Sequence, residues 1–515
     1  MGELRELSEL RQDAAALCRA LNQRRFRLVS GLPLGDLAEV CKTHRLSISR
    51  DSIAQITEAG ASAEPGGRRE RLSALRDFLV RACALGLDPR AAAELEEFTR
   101  RPSVRPPGDA GLHGALPPVQ VERDLPFEQN RRKRGDLEAA LAEASSQPAG
   151  PRSAAWDAAQ SALGELKLGE PASAAARLQL RGWAQLSDGQ RAPDVVRAAC
   201  ESLLSATDAV ALDLGGWLLA RHSGVRRYPG GAERHDTLSL MTAPHCASAF
   251  PRGEQLRTCR RWAEMLRLDL DADRCIKLDD DERPLKVAGA HAVAVLPPYE
   301  ARISLWPAEG PRALAQLLGA LGVAQLYCGP PEDAPPEDLW LGDAGVRAAS
   351  AALFAGLVAD PLWLRRCAKA DLNRDDERAV AFAFVLEARL AAAEALASLE
   401  ALEAGGLSGQ VEAAHRELYA RALGAELPAG LALVGLDPWL DRFADLRGLA
   451  LAARLRGYLR ERHDEDWWRN PRAHPHLQAL WGRGGRPTVS ELWAELGTEA
   501  CSVGPLSQEL LEWCR

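Results

Sequence analysis

Apolar residues recur at i, i+3, i+4 and i+7 through most of the chain, on a background rich in Ala, Leu, Arg and Glu. That spacing puts one apolar stripe on each segment, the pattern of amphipathic α-helices. The clearest runs are residues 72–85, 137–143, 195–206 and 376–403. Segments that a helix tolerates poorly separate them, at 60–67, 101–118, 223–231, 329–336 and 482–487, because proline lacks a backbone donor and glycine is conformationally loose. Only one stretch alternates with a period of two. AHAVAVLP (290–297) and ARISLW (301–306), with Pro297 and Pro298 between them, predict a small hairpin. No repeat occurs at a fixed period. The expectation is a mainly α protein.

Composition narrows this picture. The 515 residues carry 64 basic and 72 acidic side chains, a formal charge of −8, which gives no electrostatic reason for whole-protein binding to nucleic acid. With 26% charged and 46% hydrophobic residues the chain has ordinary globular composition. Its length suffices to bury a core without disulfides, as about three domains or one large helical unit. Eleven scattered cysteines, none in a CxxC pair, fit reduced thiols and a cytoplasmic setting better than a disulfide framework. The N-terminus alternates charge with leucine, unlike a signal peptide. No run of about 18 apolar residues suggests a membrane span.

The candidate chemistry is sparse. None of the ten histidines is followed by Glu, so HExxH is absent, and so are GxSxG, GxxxxGK and GxGxxG. His474 and His476 flank Pro475 in an expected exposed loop. His222, His235 and His245 with Cys246 fall within 25 residues, but spacings of 13 and 10 are not the i, i+4 pairing that sets two ligands on one helix face. No metal is expected there. Asp279, Asp280 and Asp281 lack the spread oxygen ligands of an EF-hand and predict a solvated turn before the hairpin. Arg131, Arg132, Lys133 and Arg134 predict a charged helix face.

The C-terminal half carries a series of landmarks. LRGYLRERHDEDWWRNPRAHPHLQALWGRGGRPTVSELWAELG fills 455–497. Upstream stand Arg283, Pro284 and Lys286, then Pro298 and Glu300, a Pro-x-x-Gly turn from Pro307 to Gly310, Leu341-Gly342-Asp343, and Asp360-Pro361 with Trp363-Leu364. In this order they resemble a bacterial branch of the thimet oligopeptidase and oligoendopeptidase F family of zinc metallopeptidases, the gluzincin type. The resemblance covers roughly 95–515 and is densest after 275. It implies a mainly α, two-lobed helical oligopeptidase-like fold with a small β-sheet or hairpin at the central cleft. The implied division is 1–100, an N-terminal helical region; 101–275, a helical lobe; and 276–515, the metallopeptidase-like catalytic region.

The family's catalytic positions are filled differently here. Laying Leu317 and Leu318 on the leucines before the family's HExGH puts Gly319 and Val323 at the two zinc-ligand histidines and Ala320 at the general-base glutamate, with Gly322 and Tyr327 retained. Laying LGD on LGD puts Ala348 at the third zinc ligand. A zinc peptidase needs three ligands, a metal-acidified water and a carboxylate to take its proton, and Gly, Ala and Val supply none of these. Asp441 and Asp445 stand where active relatives have tyrosines in a YxxxYLRAW-like segment.

What the resemblance implies is therefore a protein that is not an enzyme. It would be a catalytically inactive pseudopeptidase, with no zinc or other cofactor, that binds a peptide or protein partner in the former substrate cleft. The peptide would add to 301–306 as an edge strand, and Arg302, Ser304, Tyr327, Asp441 and Asp445 would meet it. Two alternatives stand beside this one. A structural or regulatory subunit would pair with an active homologue through its surface; for it, Trp467, Trp468, Trp481, Trp493 and Trp513 are either a contact patch or helical core. An enzyme of different chemistry would be built on Asp441 and Asp445 or on the His222 to Cys246 region.

Overall fold

The structure, a computed structural model, describes residues 7–64, 67–107, 114–164, 192–268, 275–497 and 502–515; Cys501 and parts of the breaks at 60–67 and 101–118 lie outside them. The elements that build the cleft, in chain order, are α1 (Leu7–Val29), α2 (Gly67–Leu87), α3 (Pro193–His222), α4 (Arg234–Thr242), β1 (Ile276–Asp279), β2 (Ala290–Leu296), β3 (Glu300–Leu305), α5 (Pro311–Cys328), α6 (Ala344–Ala355), α7 (Arg374–Glu403), α8 (Gly409–Leu423), α9 (Asp441–His463) and α10 (Gly504–Trp513). The fold is mainly helical with small sheets, as the apolar periodicity predicts. Three of the four clearest runs lie inside α2, α3 and α7, and the fourth inside the helix Arg131–Ser145.

Helix α7 is the spine. Asn373 caps it by accepting from the Asp376 backbone N–H at 3.0 Å, and Asp375, Asp376 and Glu377 complement the positive end of the helix dipole. Nineteen of its 30 residues are buried, so the helix is apolar nearly all round and runs through the core. Helix α3 is long and apolar enough to cross a membrane by length and composition. Here ten of its residues, including Leu203, Leu204, Leu218 and Leu219, are buried in the same core.

The sheet departs from the expected hairpin. It has three strands in the order β1-β3-β2, with β3 antiparallel to β2 and parallel to β1. Residues 301–306 are therefore not an edge: β3 is central, and among the described residues the strand with one free side beside the cleft is β2. The acidic triplet is tied down in part. Lys286, fully buried, donates from Nζ to the carbonyls of Asp279 at 2.7 Å and Asp281 at 2.9 Å. Arg283 clamps the Asp279 carboxylate at 2.8 Å. Asp279 is thereby tied to the end of β1, while Asp280 and Asp281 stay exposed, as a solvated turn requires.

Other expectations are corrected in the same way. Cys275, just before β1, is disulfide-bonded to Cys328 at the end of α5, so the thiols are not all reduced; the eight free cysteines described are buried. His474 begins a helix, His474–Trp481, rather than lying in a loop, because Pro475 sits in the first turn where it needs no donor. Arg131 and Arg134 both bind Asp236, at 2.8 and 3.2 Å; Arg134 is buried, while Arg131, Arg132 and Lys133 are exposed on the helix face that the sequence predicts. Trp467, Trp468, Trp481 and Trp493 are all at most 3% exposed, which makes these four core; Trp513 is partly buried.

Candidate functional site

A cavity of about 690 Å³ opens between α5, α6, α7 and α9, with Ala290, His291 and Ala292 of β2 on one side. A second cavity of about 490 Å³ meets it at Arg25, Tyr327, Ala344 and Arg347. Gly319, Ala320 and Val323 on α5 and Ala348 on α6 all line the larger one. Positions i, i+1 and i+4 of a helix share a face, and the two alignments, made separately, converge on one wall. Tyr327, Asp441 and Asp445 also line this cavity. Arg302 and Ser304 do not: Arg302 pairs with Glu300 at 2.5 Å and lies over the Phe26 ring, and Ser304 is fully buried with its hydroxyl donating to the Val29 carbonyl at 3.3 Å.

The wall is built by close helix approach. A Cβ at Gly322 would come 2.1 Å from the Ser350 carbonyl oxygen, one at Gly319 would come 3.3 Å from that of Ala351, and one at Gly448 would come 2.4 Å from the Ala348 Cβ. Small residues thus let α5, α6 and α9 pack almost backbone to backbone. The zinc ion of the family motif does not fit this wall, because none of its four positions carries a side chain with a lone pair. Among the described residues, the groups that gather three ligand atoms lie elsewhere.

Charge in the cleft comes instead from facing pairs. Arg312 meets Glu387 at 3.2 Å. Arg442 meets Glu394 at 2.6 Å and Asp445 at 3.3 Å, while Asp441 takes both terminal nitrogens of Arg81, at 2.8 and 3.0 Å. Burial holds the carboxyls of Glu394 and Asp445 above their usual range against the pull of Arg442. Sequence reasoning missed Glu387 and Glu394. They stand seven apart, on the face of α7 that carries Ala383 and Ala391 into the cavity, so two acids interrupting an alanine face were the available signal.

Beside the cleft, Asp437 accepts from the backbone N–H groups of Trp439 at 2.9 Å and Asp441 at 3.2 Å. Burial, reinforced by the charge of Asp441, pushes its carboxyl up to about 6 from an ordinary 3.8. The folded state therefore holds this proton more tightly than the unfolded chain. Its contribution is fully present below about 4 and is lost as pH rises through about 6. Asp437→Asn keeps the accepting oxygen and removes the ionisation. Thermal melts of the variant should lose the part of the pH dependence between about 4 and 6 that Asp437 causes, and the variant should be the more stable protein at pH 7.

None of the protein-family models matches this sequence, and no curated protein sequence does. Solved structures do match, over nearly the whole chain. A metallocarboxypeptidase of Trypanosoma cruzi superposes with a TM-score of 0.55 at 14% identity, covering 99% of each chain. An M32 carboxypeptidase of Deinococcus radiodurans gives 0.54 at 16% identity over 98% of each. A Bacillus anthracis protein assigned as an oligoendopeptidase F gives 0.58 at 11% identity, covering 99% of this chain and 96% of that one. At such identities the likeness is one of fold, and it takes in M32 carboxypeptidases as well as the oligoendopeptidase F type that the sequence resembles. The expectation of a non-enzyme is corrected by these matches: the structures it shares a fold with are peptidases, and an altered motif is not a demonstrated loss of activity.

Proposed function

We propose that the cleft binds an extended peptide. The observation that carries this reading is that, among the described residues, β2 pairs on one side only and presents Ala290, His291 and Ala292 to the larger cavity, where a peptide could add by main-chain hydrogen bonds. The apolar wall of Gly319, Ala320, Val323 and Ala348 suits side chains, and the arginine–carboxylate pairs opposite suit peptide polar groups. Labelled peptide libraries titrated against the full chain test it. Saturable binding is expected, weakened at least tenfold in Val323→Trp, which fills the cavity from a position that is only partly buried. No saturable binding, or an affinity that this variant leaves unchanged, overturns the proposal.

A second reading is favoured by the raised carboxyls: an enzyme in which Glu394 or Asp445 moves a proton. Carboxyls displaced toward neutrality beside arginines are suited to general acid–base work. Mass spectrometry of the same mixtures reads it directly. Peptide fragments that form at an unchanged rate in the presence of a chelator and vanish in Glu394→Gln would support it; intact peptide throughout would remove it.

A further inference from the structure

Outside the cleft wall, three distant segments bring metal-binding side chains together. His222 ends α3, His245 and Cys246 follow α4, and Asp376 lies in the first turn of α7. A ring nitrogen of His245, the Cys246 Sγ and a carboxylate oxygen of Asp376 all lie within 4.8 Å of one another. The His222 ring stacks on that of His245, with centroids 3.7 Å apart and an interplanar angle of 13°.

Several features mark this cluster as a site rather than a chance grouping. Both ring nitrogens of His245 are buried and neither makes a hydrogen bond; the nearest Asp376 oxygen, Oδ1, is 3.8 Å from Nε2, too far for one. An imidazole without any partner is costly unless something is to bind there. Asn373 donates to the other Asp376 oxygen, Oδ2, at 2.7 Å, which orients Oδ1 toward His245, as outer partners of metal ligands do. The other grouping of this kind, Glu233, His235 and Asp236, differs: both Asp236 oxygens are taken by Arg131 and Arg134, and His235 Nδ1 is 3.0 Å from Glu138.

We propose that His245, Cys246 and Asp376 bind a divalent transition-metal ion of the zinc class, with His222 as the fourth ligand once its ring turns out of the stack. Nitrogen, sulfur and carboxylate donors together favour that class over magnesium or calcium. Binding exchanges a proton for the metal: the Cys246 S–H bond breaks, the proton leaves to solvent and the sulfur lone pair forms the bond to the ion. Four protein ligands close the coordination shell, so the ion would tie α3, α4 and α7 together. This site is independent of the peptide-binding reading.

Cobalt titration of the metal-stripped full chain tests the proposal. One Co²⁺ per chain is expected, with a thiolate-to-cobalt charge-transfer band in the near ultraviolet that Zn²⁺ abolishes by displacement. Cys246→Ser should lose the band, and Asp376→Asn and His222→Gln should weaken binding at least tenfold. Asp376 is only partly buried and His222 is exposed, so these variants remain informative if the buried serine impairs folding. Absence of the band in the unsubstituted protein, its survival in Cys246→Ser, or full affinity in both Asp376→Asn and His222→Gln would overturn the site.

Discussion

Gly448→Leu is expected to leave little folded protein. Gly448 lies in α9 where that helix crosses α6, and even a Cβ there would meet the Ala348 Cβ at 2.4 Å, the Gly345 carbonyl oxygen at 2.6 Å and the Ala349 nitrogen at 2.8 Å. Two of these three neighbours are backbone atoms of a buried helix and cannot rotate away. Overpacking a rigid contact typically costs about 1–3 kcal/mol, which sets the expectation for Gly448→Ala. Leucine adds three further carbons into the same space and should cost more than roughly 4 kcal/mol, a large share of a marginal stability. Urea unfolding reads both. Gly150→Ala is the contrast: that helical position has nothing within 4 Å of an added Cβ, and alanine should stabilise by up to about 1 kcal/mol. Equal effects at 448 and 150 would show that the close approach of α6 and α9 does not hold.

Arg456→Met should be nearly as damaging, for an electrostatic reason. Arg456 in α9 is 3% exposed and donates from Nε to Glu509 Oε1 of α10 at 2.8 Å, and from a second nitrogen to the other Glu509 oxygen. It also donates to the Ala352 carbonyl of α6 at 2.6 Å. One side chain thus joins three helices. Removing it leaves Glu509, 5% exposed, as a buried carboxylate whose remaining cation, Arg460, stands 3.6 Å away. Breaking a buried pair from one side costs roughly 3–5 kcal/mol. The double variant Arg456→Met with Glu509→Leu removes both charges and should recover much of that loss. If the double variant is less stable than the single one, the pair stabilises in its own right and the unpaired charge is not the main cost.

Much of the architecture was legible from local pattern. The runs at 72–85, 195–206 and 376–403 are helices because apolar spacing is a property of a segment by itself, and the 290–305 alternation is two strands for the same reason. Helical spacing puts Gly319, Ala320 and Val323 on one face, but that Ala348 of another helix shares their wall shows only in the structure. Their close packing could not be read, because it depends on what stands opposite, such as Gly448 against Ala348. The same limit explains the misplaced edge strand: 301–306 looks like half of a hairpin until β1 arrives from 276–279, tethered by Lys286 and Arg283.

Side-chain chemistry divides along that line. From sequence alone it followed that the chain is mainly helical, that no His–Glu pair exists to build HExxH, and that His222, His245 and Cys246 lie too irregularly along the chain to form a site by local spacing. Only the tertiary structure brought Asp376 beside His245 and Cys246, split His235 away to Glu138, and turned Glu387 and Glu394 into a cleft. Periodicity records how a segment meets water or core, whereas a site is made by side chains from separate segments, whose meeting is decided when the helices close on one another.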